Sequence, residues 1–135
     1  MTRVRRRRRG TAVVDTKKGI LVASGRRKIF LLPGGGAHGS ETRTKAAMRE
    51  LREETGLKPY YGKYIFRHRG KVHKSHRGGY FRDHHTVILV KAKGKARPRH
   101  EVKHIAYYKQ GSNVKISGVT REIINKYYLW KKRKK

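Results

Sequence analysis

The segment Gly35-Gly36-Ala37-His38-Gly39-Ser40-Glu41-Thr42-Arg43-Thr44-Lys45-Ala46-Ala47-Met48-Arg49-Glu50-Leu51-Arg52-Glu53-Glu54-Thr55-Gly56-Leu57 carries four of the chain's eight acidic residues. Its pattern predicts a helix: Thr42 can cap it, it runs to Thr55, and Gly56 ends it in the usual C-terminal position. Ala46, Ala47, Leu51 and Met48 give it an apolar face. Glu50, Glu53 and Glu54 stand at i, i+3 and i+4 and so share one face. Like charges at those spacings destabilise a helix by a few tenths of a kcal/mol per pair, and the last turns are where the helix dipole disfavours them. Two readings account for carboxylates placed against both rules. Arg49, Arg52 and other cations can pair with them on a solvated face, or the carboxylates can hold divalent cations. Magnesium prefers carboxylate oxygen and keeps several waters, which leaves positions for a substrate phosphate.

The preceding Pro33-Gly34-Gly35-Gly36 opens a flexible loop, 33–40, that lets backbone approach closely, and its carbonyls could add oxygen ligands; the plainer reading is a strand-to-helix turn. A phosphate-cradling P-loop is excluded, because Ser40 stands where its lysine must be. Before the loop, residues 11–15, 20–24 and 28–32 read as short strands separated by Lys-Gly and Ser-Gly turns. Beyond the helix, 60–66 and 86–92 read as strands, the latter with a fully buried core of Thr86-Val87-Ile88-Leu89-Val90, and 103–108 as a weaker one. A last helix starts at Thr120, with Val119, Ile123, Tyr127 and Trp130 near helical spacing. Mixed strands and helices in 135 residues make one α/β or α+β domain.

Lysine and arginine number 38 against 8 acids, a net charge of +30. Charge this lopsided answers a polyanion, with nucleic acid ahead of anionic membrane. Residues 1–10 form an arginine-rich arm containing Arg5, Arg6, Arg7, Arg8 and Arg9, and 131–135 form a second basic tail with Lys131, Lys132 and Arg133. Neither is expected to hold itself together without a counter-charge. Residues 67–85 add Arg67, Arg69, Lys71, Lys74 and Arg77, five histidines, and Tyr80 and Phe81, a mixture that could grip phosphates and stack a base or form a solvated hairpin. A zinc site on those histidines has no diagnostic spacing behind it. With no cysteine, disulfides, Cys-ligated zinc and a cysteine nucleophile are excluded. No apolar run approaches the ~20 residues of a membrane span. No apolar core follows the basic N-terminus, so a cytoplasmic location is expected.

Gly35, five residues, Glu41, seven residues, Arg49-Glu50-Leu51, one residue, Glu53-Glu54, one residue and Gly56-Leu57 match the Nudix box at every specified position, and Leu31-Leu32-Pro33-Gly34-Gly35 resembles the lead-in to it. The resemblance implies a Nudix-type α/β/α sandwich around a mixed sheet over 11–130, flanked by the two basic ends. It implies a hydrolase that uses Mg2+ or Mn2+ to cleave a pyrophosphate linkage in a nucleoside diphosphate derivative or an RNA 5′ end. By the same resemblance Glu53 and Glu54 are metal ligands, helped by Glu50 and the carbonyl of Gly34. Arg49 orients Glu50, while Gly35 and Glu41 are supporting. The general base is Glu50 or a downstream acid, of which Glu101 is the best placed. Where relatives acting on ADP-ribose, reduced NAD or diadenosine polyphosphates carry prolines or a tyrosine, this chain has Val72-His73-Lys74-Ser75, so none of those substrates is indicated. The alternative function is an RNA-binding, ribosome-associated protein that uses the fold mainly as a scaffold.

Overall fold

Ala12, Val13, Val14, Ile20, Leu21, Val22, Val87, Ile88 and Val90 are all buried, in strands that are apolar on both faces. Such strands need cover on both sides, and the two helices supply it. The computed structural model describes residues 3–134. The element order is β1 (Val4–Val13), β2 (Asp15–Thr16), β3 (Gly19–Ser24), β4 (Gly34–Gly36), α1 (Arg43–Thr55), β5 (Lys58–Lys74), β6 (Tyr80–Lys93), β7 (His104–Tyr108) and α2 (Gly118–Arg133). One mixed sheet has the order β4-β1-β6-β5, with β1 and β6 parallel and the outer pairs antiparallel. A second, antiparallel sheet has the order β2-β3-β7.

The side chains of successive strand residues divide between two cores. Val13, Val87, Ile20 and Val22 pack with Ile123, Ile124 and Tyr127 of α2. Ala12, Val14, Ile88 and Val90 pack with Ala47 and Leu51 of α1. The expected α/β class with a mixed sheet and a helix on either face is what the chain adopts.

Helix α1 forms as the sequence predicts. Thr42 accepts a hydrogen bond from the Lys45 amide at 3.1 Å, and Gly56, at φ 76°, donates its amide to the Arg52 carbonyl at 2.8 Å. The helix lies directly on β1 at Gly10, where a β-carbon would stand 2.2 Å from the Arg43 carbonyl oxygen and 2.8 Å from the Ala47 nitrogen. Both obstacles are backbone, so Gly10→Ala must push α1 off the sheet. We expect a loss of about 3 kcal/mol, measured as a fall in the urea midpoint; an unchanged midpoint contradicts this packing.

Several expectations need correction. The arginine arm is not a separate unit. Val4 to Gly10 continue β1 in parallel register with Tyr80 to Thr86, and Arg7 finds its counter-charge in Asp83 at 2.6 Å. The C-terminal tail is the last turn of α2 as far as Arg133, where lysines and arginines suit the negative end of the helix dipole. Met1, Thr2 and Lys135 lie outside the described residues. That helix begins at Gly118 rather than Thr120, because Ser117 caps it by accepting from the Thr120 amide. Residues 28–32 form only isolated bridges, Leu31 to Ala23 and Phe30 to Ile116. Gly34, Gly35 and Gly36 of the 33–40 loop are instead β4, paired with β1. Residues 67–85 belong to a long β5–β6 hairpin whose turn is closed by the Ser75 amide donating to the Gly79 carbonyl at 2.9 Å.

Candidate active site

Helix α1 and the loop before it bring three of the four acids of the opening segment, Glu41, Glu50 and Glu53, around one guanidinium. Arg49 donates from Nε to Glu41 at 2.8 Å, from Nη1 to Glu50 at 2.8 Å and Glu53 at 3.2 Å, and from Nη2 to the Gly36 carbonyl at 3.0 Å. These bonds hold the Arg49 proton more tightly than usual, Glu41 first, and Arg49 in turn pulls the Glu41 carboxyl down to about 2. The pairing read as one of two alternatives from the sequence is therefore present, through Arg49 and not Arg52.

Glu54 stands apart from that fork. It accepts from the Gly34 amide at 3.3 Å, and burial, then the charge of Glu50, push its carboxyl up to about 8. Gly35 makes the arrangement possible: a β-carbon there would sit 2.6 Å from Cδ and Oε2 of Glu50. Gly34, expected to offer its carbonyl to a metal ion, contacts Glu54 here through its amide.

Beside this cluster a cavity of about 410 Å3 opens on the α2 side of the sheet. Glu54, Gly34, Glu101 and Val102 line it, with Arg7 and Arg9 of β1 and Asp83 and His85 of β6. Glu101, chosen from the sequence as the downstream acid, shares the cavity with Glu54. Glu53, half-exposed beside Arg49, does not line it. Lys71, Lys74 and Arg77 lie in the far part of the hairpin, and Lys131, Lys132 and Arg133 at the end of α2; none of them lines the cavity. Sequence reasoning missed that Arg7, Arg9, Asp83 and His85 enter it. The available signal was that the arginine run continues into Thr11 to Val14 with only Gly10 between them.

The donor set fits a divalent cation. Three carboxylates converge on α1, and among the described residues Glu54 makes no ion pair; burial and the charge of Glu50 outweigh the charge of Arg9 upon it. A dication would supply the missing counter-charge. Among the described residues no three acids or imidazoles are gathered as a finished cage, so binding requires Glu53 to turn from Arg49. The histidines do not gather either: His68 Nε2 bonds Glu122 at 3.1 Å and His85 Nδ1 bonds Thr11 at 2.8 Å.

The NUDIX domain model matches residues 4–113. The chain belongs to the Nudix hydrolase family. Its match begins at Val4, which places the arginine strand inside the Nudix domain rather than before it. A nudix hydrolase family member from Chromobacterium violaceum superposes with a TM-score of 0.72 at 32% identity, over 90% of this chain and 76% of that one. A MutT NUDIX hydrolase from Burkholderia pseudomallei gives 0.72 at 18% identity, over 90% and 97%. The E. coli ORF135 protein gives 0.70 at 19%, over 95% and 92%. No curated protein is a match. Family membership makes this Nudix protein a pyrophosphohydrolase, the enzyme class expected from the box. No helix in the described residues is long and apolar enough to cross a membrane.

His85 gives the Nudix domain an acid-sensitive element. Burial, the dominant cause, brings its imidazole from 6.5 down to about 4. Between those values the unfolded chain holds more protons than the folded one, so acid favours unfolding. The contribution is flat above 6.5, declines between 6.5 and 4, and changes no further below. From pH 7 to pH 5 it amounts to about 2 kcal/mol. His85→Gln should flatten the change in melting temperature over that range; an identical dependence in the variant contradicts the assignment.

Proposed function

We propose that this protein is a Mg2+- or Mn2+-dependent hydrolase of a pyrophosphate linkage in a nucleoside diphosphate derivative or an RNA 5′ end, acting in the cytoplasm. The observation that carries the reading is that Glu54, Gly34, Arg7, Arg9 and Glu101 line one cavity. Carboxylates for cations and guanidiniums for phosphates thus line one space of about 410 Å3, large enough for a polyphosphate.

In this reading Glu53, Glu54 and Glu50 would hold the ion, with Gly34 beside them. When bound, such an ion neutralises phosphate oxygens and lowers the pKa of a water. Arg49 is a positioning residue that fixes Glu50 and, through Glu41 and the Gly36 carbonyl, ties α1 to β4. Arg9 and Arg7 bind the substrate's phosphate oxygens, Arg7 after giving up part of its bond to Asp83. Glu50 or Glu101 accepts the proton of the attacking water, which bonds to phosphorus as the bridging P–O bond breaks and the leaving phosphate departs. The fold's main contribution is to position these charges.

The second reading, an RNA-binding and ribosome-associated scaffold, is favoured by the distribution of the acids. Four of the eight belong to the Nudix box and two more, Asp83 and Glu101, line the cavity, which leaves most of the remaining surface cationic. A panel of ADP-ribose, a diadenosine polyphosphate, GTP and 5′-triphosphorylated RNA separates the two. Product release that requires Mg2+ and stops with EDTA is expected. Tight RNA binding with no hydrolysis of any substrate supports the scaffold and overturns the enzyme.

A further inference from the structure

Strand β1 is a comb of arginines whose teeth point alternately to the two faces of the sheet. Arg7 and Arg9 enter the catalytic cavity. Arg6 and Arg8, in register with Arg82 and His84, lie on the α1 face instead. Together with Arg43, Arg67, Arg69 and His84 they line a hollow of about 520 Å3, which also reaches His68, His85 and, from α2, Lys126. A smaller hollow of about 140 Å3 shares Arg6, Arg69 and His84 with it and adds Arg82 and Val4.

Among the described residues no carboxylate lines either hollow. Among the described residues no ion pair involves Arg6, Arg8, Arg43, Arg67, Arg69 or Arg82. Buried Arg82 Nε has no hydrogen-bond acceptor, an uncompensated donor of the kind folded proteins avoid. His84 registers the local potential: its proton affinity is lowered by burial first and then by Arg6, Arg69, Arg82 and Arg8. At the far end Val4, Val72 and Tyr80 are exposed. Register puts Val4 beside Tyr80 and Val72 beside Arg82, on this same face.

We propose that this face is a second, non-catalytic site that binds single-stranded nucleic acid, its phosphodiesters along the arginine groove and a base stacked on Tyr80. Residues two apart on a strand have Cα atoms ~6.6 Å from one another, so Arg6 and Arg8 start from regularly spaced points along the groove. A cationic groove with a flanking aromatic platform is the arrangement that holds single strands without reading sequence. The proposal specifies the nucleic-acid part of the reading above and does not depend on the hydrolytic part.

Fluorescence anisotropy of labelled oligo(rU) and oligo(dT) with the full chain, in EDTA, tests it across a salt series. Wild type should bind both. Arg6→Gln/Arg69→Gln should bind at least about tenfold more weakly and lower the salt slope by about 1.4, at ~0.7 for each phosphate of a single strand that is no longer neutralised. Arg6→Lys/Arg69→Lys should keep the slope. Tyr80→Ala should weaken binding about tenfold with the slope unchanged. Melting curves establish that each variant is folded; a misfolded Arg6→Gln/Arg69→Gln is replaced by Arg8→Gln/Arg67→Gln, for which the same loss is expected. Equal binding by wild type and glutamine variant overturns the site. So does an equal loss from Lys131→Gln/Lys132→Gln at the end of α2, which marks diffuse charge. Binding to phosphatidylglycerol vesicles that depends on these arginines, with none to oligonucleotide, overturns it in favour of a membrane.

Discussion

Glu53→Gln should lower Mg2+-dependent pyrophosphate hydrolysis by at least about a hundredfold while leaving the melting temperature within a degree or two. The two halves of that expectation have separate causes. Glu53 is half-exposed and its one ion pair is an i,i+4 contact with Arg49, of a kind worth well under 1 kcal/mol. Removing its charge also relieves repulsion from Glu50 and Glu54 on the same helix face. Stability therefore has little to lose. Hydrolysis loses a carboxylate that would hold the cation, and ligands are at least as sensitive as the outer-shell partners whose loss costs ~10–100-fold. Steady-state kinetics beside a thermal melt check both halves. An unchanged rate removes Glu53 from the mechanism, and a large fall in melting temperature shows that Glu53 is structural.

Gly35→Ala should also cut hydrolysis, by roughly ten- to a hundredfold, through Glu50. The new methyl group would lie 2.6 Å from Cδ and Oε2 of Glu50, the end of a flexible side chain. Glu50 can swing aside at small cost in stability, and in doing so it leaves Glu54 and breaks the 2.8 Å bond from Arg49. The contrast with Gly10→Ala is diagnostic. At Gly10 the obstructing atoms are helix backbone, so that substitution should cost stability, whereas at Gly35 it should cost activity. Full activity in Gly35→Ala contradicts the placement of Glu50.

Local chemistry made α1 legible. Thr42, Gly56 and the apolar face of Ala46, Ala47 and Leu51 each do in the fold what a helix end or a core face requires of them. The i,i+4 spacing of Arg49 and Glu53 likewise determined that these two side chains would meet, because helical neighbours are fixed by the chain itself. The first half of β1 was not legible. Arginine followed by arginine has no apolar period, and what makes it a strand is parallel pairing with β6 and an aspartate 76 positions away. Strand β4 was hidden for a related reason: three glycines show no side-chain pattern, and only backbone pairing to β1 defines it. The cavity inherits both difficulties. Glu54 and Glu101 were candidates from the sequence, yet Arg7 and Arg9 join them in the lining only because that polar strand pairs at long range.

Anomalous diffraction at the manganese edge, from crystals of the full chain soaked in MnCl2, tests the central claim most directly. A peak bounded by the carboxylates of Glu50, Glu53 and Glu54, with Glu53 turned away from Arg49, is the predicted result. No peak at saturating manganese, with Arg49 still forked to Glu41, Glu50 and Glu53, would contradict the account.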